Sequence, residues 1–276
     1  MPLRSVQTPL TKGNPMNLIK NNLPHPETYI IYGANSHIGS ELSHYLQPLV
    51  SNLVLFYHKN NDKINDLLSC ANVHGISSDI RDYADYVKQL ETIFSQSCLN
   101  LSKSLGAVYF PATRSYDHQP LSSTSLEITK EIIEVNLLGC IHFLKGIINL
   151  ELSNSEAVKR IVLLGSHVSR TGLKDGSVYS CTKAAVANLT RSVSMEVGSK
   201  HVFINTVSPG PVVTQSVDFS SDYAEFREKY FATELLKTSL NKLASVDDVC
   251  SLILYLTSEL NLHLTGEELF ITGGTL

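Results

Sequence analysis

The sequence predicts an α/β fold: a doubly wound parallel sheet of about seven strands with helices on both faces. Three observations carry the prediction. Short β-branched and aromatic runs alternate with amphipathic segments from Tyr29 to the C-terminus, and no internal repeat interrupts them. The alternation calls for right-handed crossovers between parallel strands. The conspicuous turn-forming and polar residues fall just after strands, where ligands bind in such sheets.

The first strand is TYIIYG, ending at Gly33 as a buried strand entering a turn does. The helix IGSELSHYLQPLV follows, then the strand NLVLFY. VHGISSDI is a weak third strand and DYADYVKQLETIFSQ a helix. GAVYF is the fourth strand. A long helix is expected over 125–150, with Ile128, Ile132, Val135, Leu138, Ile141 and Leu144 at helical spacing. The strand RIVLLGS, the helix YSCTKAAVANLTRSVSMEVG and the strand VFINTVSPG come next. Residues 214–241 are polar and loosely periodic. The helix VDDVCSLILYLTS and the strand GEELFITGG close the chain. Residues 1–26 carry five prolines and read as a poorly ordered or surface-draped arm, a partner-binding arm being the alternative. Residues 27–276 form one domain in this reading.

With 43% hydrophobic and 17% charged residues over 276, the chain can bury a sizeable core. A net charge of −4 offers no general attraction to nucleic acid or to anionic membranes. No stretch approaches a membrane span in length, and the N-terminus lacks the apolar region of a signal peptide. Five scattered cysteines without a CxxC pair read as thiols of a reducing compartment, not as disulfides or metal ligands. The cytoplasm is the expected location.

Gly33-Ala34-Asn35-Ser36-His37-Ile38-Gly39 joins a strand to a helix. Glycine allows a tight turn and close backbone approach to a pyrophosphate, and the amides of a helix N-terminus attract its charge. An ordinary strand-to-helix turn is the alternative. His37 stands where a third glycine is expected. Its side chain should point out of the loop, toward the cofactor or toward solvent. The second strand ends at His58-Lys59 with no acidic residue before Asp62. A basic pair there suits the 2′-phosphate of NADP, whereas NAD wants an acidic residue. NADPH is therefore favoured over NADH. Asp79-Ile80 is placed to meet an adenine ring, with an N-cap role for Asp79 as the rival.

Tyr179 and Lys183 are four residues apart, so they share one helix face. A free tyrosine titrates near 10, and a neighbouring ammonium favours its phenolate. Ser166, just after a strand, can hold a carbonyl beside the phenol. Alone, each has an ordinary alternative: a packing aromatic, a cap, and for Asn136 a satisfied polar group of a helix.

Taken together, Gly33…Gly39, Asn136 in VNLLG, Ser166, Tyr179-Ser180-Cys181-Thr182-Lys183, Asn205…Pro209-Gly210…Thr214 and Gly273-Gly274 resemble the short-chain dehydrogenase/reductase family. The likeness runs from about Tyr29 to Gly274, and the chain is similar to 3-oxoacyl-carrier-protein reductases and to reductases of secondary metabolism. It implies a Rossmann-type sheet and an oxidoreductase that interconverts a ketone and a secondary alcohol. Tyr179 would be general acid or base, Lys183 would hold the nicotinamide ribose and lower the tyrosine pKa, and Ser166 would polarise the carbonyl. Asn136 would anchor a water in a proton relay. Pro209, Gly210, Val212 and Thr214 would wrap the nicotinamide and its phosphate.

Two departures stand out. The family's Asn-Asn-Ala-Gly after the fourth strand is here Phe110-Pro111-Ala112-Thr113, of which only Ala112 is retained, and His37 replaces a glycine. By resemblance, residues 214–241 cover the substrate, a small-molecule or acyl-linked carbonyl compound. His167, Val168, Arg170, Arg114 and Tyr116 are its expected neighbours, with a surface role for Arg114 the alternative. The helices near 125–150 and 179–198 resemble those that pair subunits, so a homotetramer is expected ahead of a dimer. The altered cradle also admits a cofactor-binding regulator or scaffold on the same fold. A sugar-nucleotide epimerase or dehydratase would want a glycine at Ser36 and a longer C-terminal region.

Overall fold

The computed structural model describes residues 23–96, 104–111, 119–151, 156–214 and 221–275. Its centre is a seven-stranded parallel sheet. The strands are β1 (Thr28–Tyr32), β2 (Asn52–Tyr57), β3 (Val73–Ser77), β4 (Ser104–Tyr109), β5 (Val158–Leu164), β6 (Val202–Pro209) and the last, which a short two-stranded pair makes β9 (Glu268–Ile271). Their spatial order is β3-β2-β1-β4-β5-β6-β9. β1 and β4 are buried at every position, as expected of strands covered on both faces. The edge strand β3, VHGIS, is mostly half-exposed, which is why its sequence signal was weak. The strand order reverses direction between β1 and β4, and that switch point opens a crevice at their carboxyl ends.

Helices α1 (His37–Leu46), α2 (Tyr83–Gln96), α3 (Leu126–Ile133), α4 (Gly139–Asn149), α5 (Val168–Thr171), α6 (Ser177–Val197), α7 (Ser221–Leu235) and α8 (Val246–Thr257) complete the fold. The short strands β7 (Val212–Val213) and β8 (Ala244–Ser245) pair beside the main sheet. On one face, Tyr86 and Leu90 of α2, Phe143 and Ile147 of α4 and Val186 of α6 bury the sheet. On the other, Leu42 and Leu46 of α1 and Val249, Ile253 and Leu254 of α8 do so. Each apolar stripe has the helical spacing that its sequence announced.

The long helix expected over 125–150 is interrupted. Glu134–Leu138 form a π turn between α3 and α4. Tyr109 Oη donates to the Val135 carbonyl at 2.6 Å, and Gly139 sits where a Cβ would come within 2.5 Å of that hydroxyl. The arm also ends earlier than expected. Leu23 packs on the core, and the Pro24 carbonyl accepts from Glu259 N at 3.0 Å. Residues 1–22 lie outside the described residues.

The loosely periodic region 214–241 contains a helix, α7. Lys159 on β5 is buried and donates to the carbonyls of Ile147, Ile148 and Leu150, closing the C-terminus of α4.

Candidate active site

Tyr179 and Lys183 lie on the first two turns of α6, facing the end of β5. A cavity of about 190 Å³ is lined by Ser166, Tyr179 and Lys183 together with Pro111, Leu164, Gly165, Pro209 and Gly210. Strand ends thus bring Ser166 and Pro209-Gly210 to the helix that carries the phenol and the ammonium. Lys183 is 2% exposed, and its Nζ donates to the Leu164 carbonyl at 2.8 Å. Nζ sits 5.5 Å from the centre of the Tyr179 ring. Burial pulls the ammonium down to about 8 from its ordinary 10.5, with Cys140 acting weakly the other way. Ser166 Oγ is 3.4 Å from the Val168 amide, a contact at the long limit.

Asn136 belongs to the π turn and is fully buried. Its Nδ2 donates to Thr182 Oγ1 at 3.1 Å, and that hydroxyl donates to the Tyr179 carbonyl at 2.7 Å. The chain from Asn136 thus passes through Thr182, the residue before Lys183, and ends on the backbone of the catalytic helix at Tyr179.

The phosphate loop keeps the geometry that two glycines permit. Gly33 has φ +83°, and a Cβ there would fall 2.1 Å from the Phe110 carbonyl oxygen. A Cβ on Gly39 would meet the Gly33 oxygen at 2.4 Å. Ser36 caps α1 by accepting from Gly39 N at 3.0 Å. Ile38 packs against the core. His37 opens α1 and lines a groove of about 530 Å³ with Lys63, Thr214 and Asp247.

Phe110 is 1% exposed and packs among Ala34, Val108 and Val207, so apolar contacts stand in for the amide contacts of the family's asparagine. Ala112, Arg114 and Tyr116 lie outside the described residues.

Asn35 ties down the loop after β2: its Nδ2 donates to Asp62 at 2.8 Å and its Oδ1 accepts from Lys63 N at 2.9 Å. His58 Nε2 lies 3.6 Å from Asp79 Oδ2, while Arg81 grips the same carboxylate through Nε and Nη2. Arg81 holds the Asp79 carboxyl below its ordinary range. The N-cap of α2 is Asp82, which accepts from Asp85 N at 3.0 Å, and not Asp79. Ile80 is buried in the core, 4% exposed, and its carbonyl is bonded to His142. Lys59 is exposed at the rim.

Two arrangements escaped the sequence reading. Arg227 on α7 donates to Thr214 Oγ1 at 2.7 Å and to the Val212 carbonyl at 3.1 Å, and stacks 4.5 Å from the Phe231 ring. It joins the covering helix to the segment expected to wrap the nicotinamide. His167, next to Ser166, is 8% exposed and faces Glu234 and Tyr230 of the same helix. Its Nδ1 has no hydrogen-bond partner among the described residues. A helical period in 221–235 was the only available signal, and it was weak.

A strand–glycine turn–helix at a topological switch point, with a tyrosine, a lysine and a serine around one cavity, defines a dinucleotide-linked oxidoreductase class. The chain belongs to the short-chain dehydrogenase/reductase family: a family model described as enoyl-(acyl carrier protein) reductase matches residues 33–275. It is 29% identical over 160 residues to D-erythrulose reductase from Gallus gallus, covering 57% of this chain and 62% of that protein. The chain therefore spans less than two thirds of that relative. Carbonyl reductase [NADPH] 2 from Sus scrofa is 23% identical over 253 residues, covering 90% of this chain and 95% of its own. The structure of a short-chain dehydrogenase from Leptospira borgpetersenii with bound NAD+ superposes with a TM-score of 0.75 at 20% identity, covering 98% of each chain. At that identity the superposition supports the fold alone.

Proposed function

We propose that the protein is an NADPH-dependent reductase of a small ketone, with Tyr179 as the proton donor. The observation that carries this reading is the single cavity lined by Ser166, Tyr179 and Lys183. The phosphate loop fits a dinucleotide, because the left-handed Gly33 and the tightly packed Gly39 hold the backbone in a turn that side chains would obstruct. Gly33 to Gly39 would hold the pyrophosphate, and Lys183, Pro209, Gly210, Val212 and Thr214 would hold the nicotinamide half. When bound there, the reduced nicotinamide supplies a hydride to the carbonyl carbon. Ser166 Oγ donates to the carbonyl oxygen and fixes it beside Tyr179, and Tyr179 passes its proton to that oxygen, leaving a secondary alcohol. The Lys183 ammonium, desolvated behind the phenol, stabilises the phenolate that remains. Asn136 would anchor a water in a proton relay toward Lys183, and its bond to Thr182 holds the pitch of the helix that presents Tyr179 and Lys183.

NADPH is proposed over NADH because His58, Lys59 and the neighbouring Arg81 put three basic side chains near the ends of β2 and β3, where the carboxylates of Asp79 and Asp62 are already bonded to Arg81 and Asn35. The NADPH in the name of the pig relative agrees with this, whereas the NAD+ bound to the Leptospira protein does not. The groove between α4 and α6, lined by Ile141, Leu144, Ile148, Leu189 and Val193, is proposed to bury itself in a homotetramer.

The test is turnover across a ketone panel with both cofactors, beside cofactor binding by fluorescence, for the wild type, Tyr179→Phe and His58→Asp/Lys59→Ala. Turnover lost in Tyr179→Phe with binding retained supports the chemistry. Cofactor binding without turnover of any ketone would point to a regulator instead. Unchanged NADPH preference in the double variant would overturn the cofactor assignment.

A further inference from the structure

A second cavity, of about 320 Å³, lies between the segment that follows Ser166 and the covering helix α7. His167, Thr171, Leu173, Tyr230, Glu234 and Lys237 contribute to its wall. Leu173 is the one purely apolar side chain among the described lining residues. Four of its polar side chains, those of His167, Tyr230, Glu234 and Lys237, form a connected set, and the exposed Lys174 lines the cavity beside them. Glu234, 5% exposed, accepts from Lys237 Nζ at 2.5 Å, and its other oxygen lies 3.8 Å from His167 Nε2. The same nitrogen is 3.4 Å from Tyr230 Oη.

The cavity adjoins the chemistry through two routes. His167 is the residue after Ser166, and its amide is anchored to the Pro209 carbonyl at 2.9 Å. Tyr230 is close enough to Tyr179 that the second phenol adds to the effects of burial and of Glu234 in disfavouring ionisation of Tyr230.

The composition of this wall restricts what can fill it. An alkyl chain would strip water from Glu234, His167 and Tyr230 and return no hydrogen bond. A free anion would meet the Glu234 carboxylate, whose charge Lys237 already matches, and the remaining cation of the wall, Lys174, is exposed, where solvent screens it. Hydroxyl groups fit. Each can donate to a carboxylate lone pair and accept from an ammonium, an imidazole or a phenol. We propose that this cavity is a second substrate subsite, selecting a small polyhydroxylated ketone over an acyl-chain ketone. The proposal rests on the ketone-reductase reading above and names its substrate class. Tyr230 and Glu234 then decide specificity without taking part in proton transfer to the carbonyl.

The experiment has a binding arm and a turnover arm, each with the wild type, Glu234→Gln and Tyr230→Phe. In the first, saturation-transfer NMR reads binding of erythritol, a polyol with no carbonyl to reduce, against hexanamide as an apolar probe. In the second, kcat/KM with NADPH is compared for 1,3,4-trihydroxybutan-2-one, butan-2-one and an acetoacetyl thioester. The expected results are erythritol binding that falls at least fivefold in both variants, and at least a tenfold preference for the trihydroxy ketone over butan-2-one. That preference should shrink at least fivefold in each variant. Tyr230→Phe removes one oxygen and keeps the test open if Glu234→Gln fails to fold. Preference for butan-2-one or the thioester, or a ratio unmoved by Tyr230→Phe, overturns the subsite. Erythritol binding lost in the variants with no ketone reduced would leave the subsite standing and sink the reductase reading. Reduction of plain ketones without erythritol binding would do the reverse.

Discussion

On the β5 and α6 side of the cleft, the groups proposed to move protons are held by neighbours that do little else. Lys183 is buried and bonded to the Leu164 carbonyl, and Thr182 links the backbone of Tyr179 to Asn136. On the β1 to β3 side, the polar groups mostly hold one another. Asn35 grips the loop at Asp62 and Lys63, and Asp79 is shared by Arg81 and His58. One side is preorganised toward a shared cavity. The other is a self-satisfied network that a dinucleotide would have to rearrange. Burial accounts for the difference, because the lysine is in the core whereas Asp79, Arg81 and His58 are a third or more exposed and cheap to re-pair.

The comparison can be broken, and the largest effect comes first. Tyr179→Phe should lower kcat by about 10²–10⁴-fold, the usual worth of a positioned general acid. NADPH binding measured by fluorescence should stay within a few-fold of the wild type. A parallel collapse of binding would mean that the two sides are not separable.

Next is Gly33→Val. It forces a β-branched residue to φ +83° with a Cβ 2.1 Å from the Phe110 oxygen. A loss of about 2–4 kcal/mol in chemical denaturation is expected from strain plus overpacking. Unchanged stability would show that the turn relaxes easily.

Lys183→Met sharpens the contrast through pH. An unfolded lysine keeps its proton to near 10.5, whereas the buried one releases it near about 8. Between those values the unfolded chain binds the extra proton, so wild-type stability climbs with pH there. The burial cost is fully present below 8. The methionine variant should therefore be inactive yet more stable than the wild type at pH 7 by about 1–3 kcal/mol, the orphaned Leu164 carbonyl offsetting part of the gain. The advantage should fade between pH 8 and 10.5 in urea titrations, and a constant difference across that range would contradict the buried-charge account.

The smallest effect belongs to His37→Gly. With His37 outside the lining of the cavity that holds Tyr179 and Lys183, restoring the missing glycine should change NADPH affinity by less than about threefold, or roughly 0.7 kcal/mol. A larger gain by calorimetry would place His37 against the cofactor.

What was legible in the sequence was local. Tyr179 and Lys183 are one helical turn apart, and Gly33 to Gly39 is a strand–turn–helix whose chemistry can be read from spacing. The doubly wound parallel sheet follows from strict alternation and handed crossovers. The unread features are pairings across distance. Nothing near Asp79 in the chain foretells His58, and nothing near Thr214 foretells Arg227. The exchange of Asp79 for Asp82 as the cap is a shift of one turn, too fine for propensity to resolve. His167 was expected as a pocket neighbour, but its partnership with Glu234 needed the covering helix in place, and that helix has hardly any amphipathic signal.

The π turn at Glu134–Leu138 has a consequence for how this chain tolerates changes in length. A π turn holds one residue more than an α turn spanning the same axial distance. Removing one residue from an ordinary helix rotates everything beyond it by about 100°, turning an apolar stripe away from its sheet. Here the same deletion would let the turn revert to α-helix and leave the stripes of α3 and α4 in phase. Ile132 and Phe143 could then remain in the core while Asn136 lost its place against Thr182. At this one point the chain carries its surplus residue where the function is, so a shortened protein would be expected to fold and to have lost its alignment of α6.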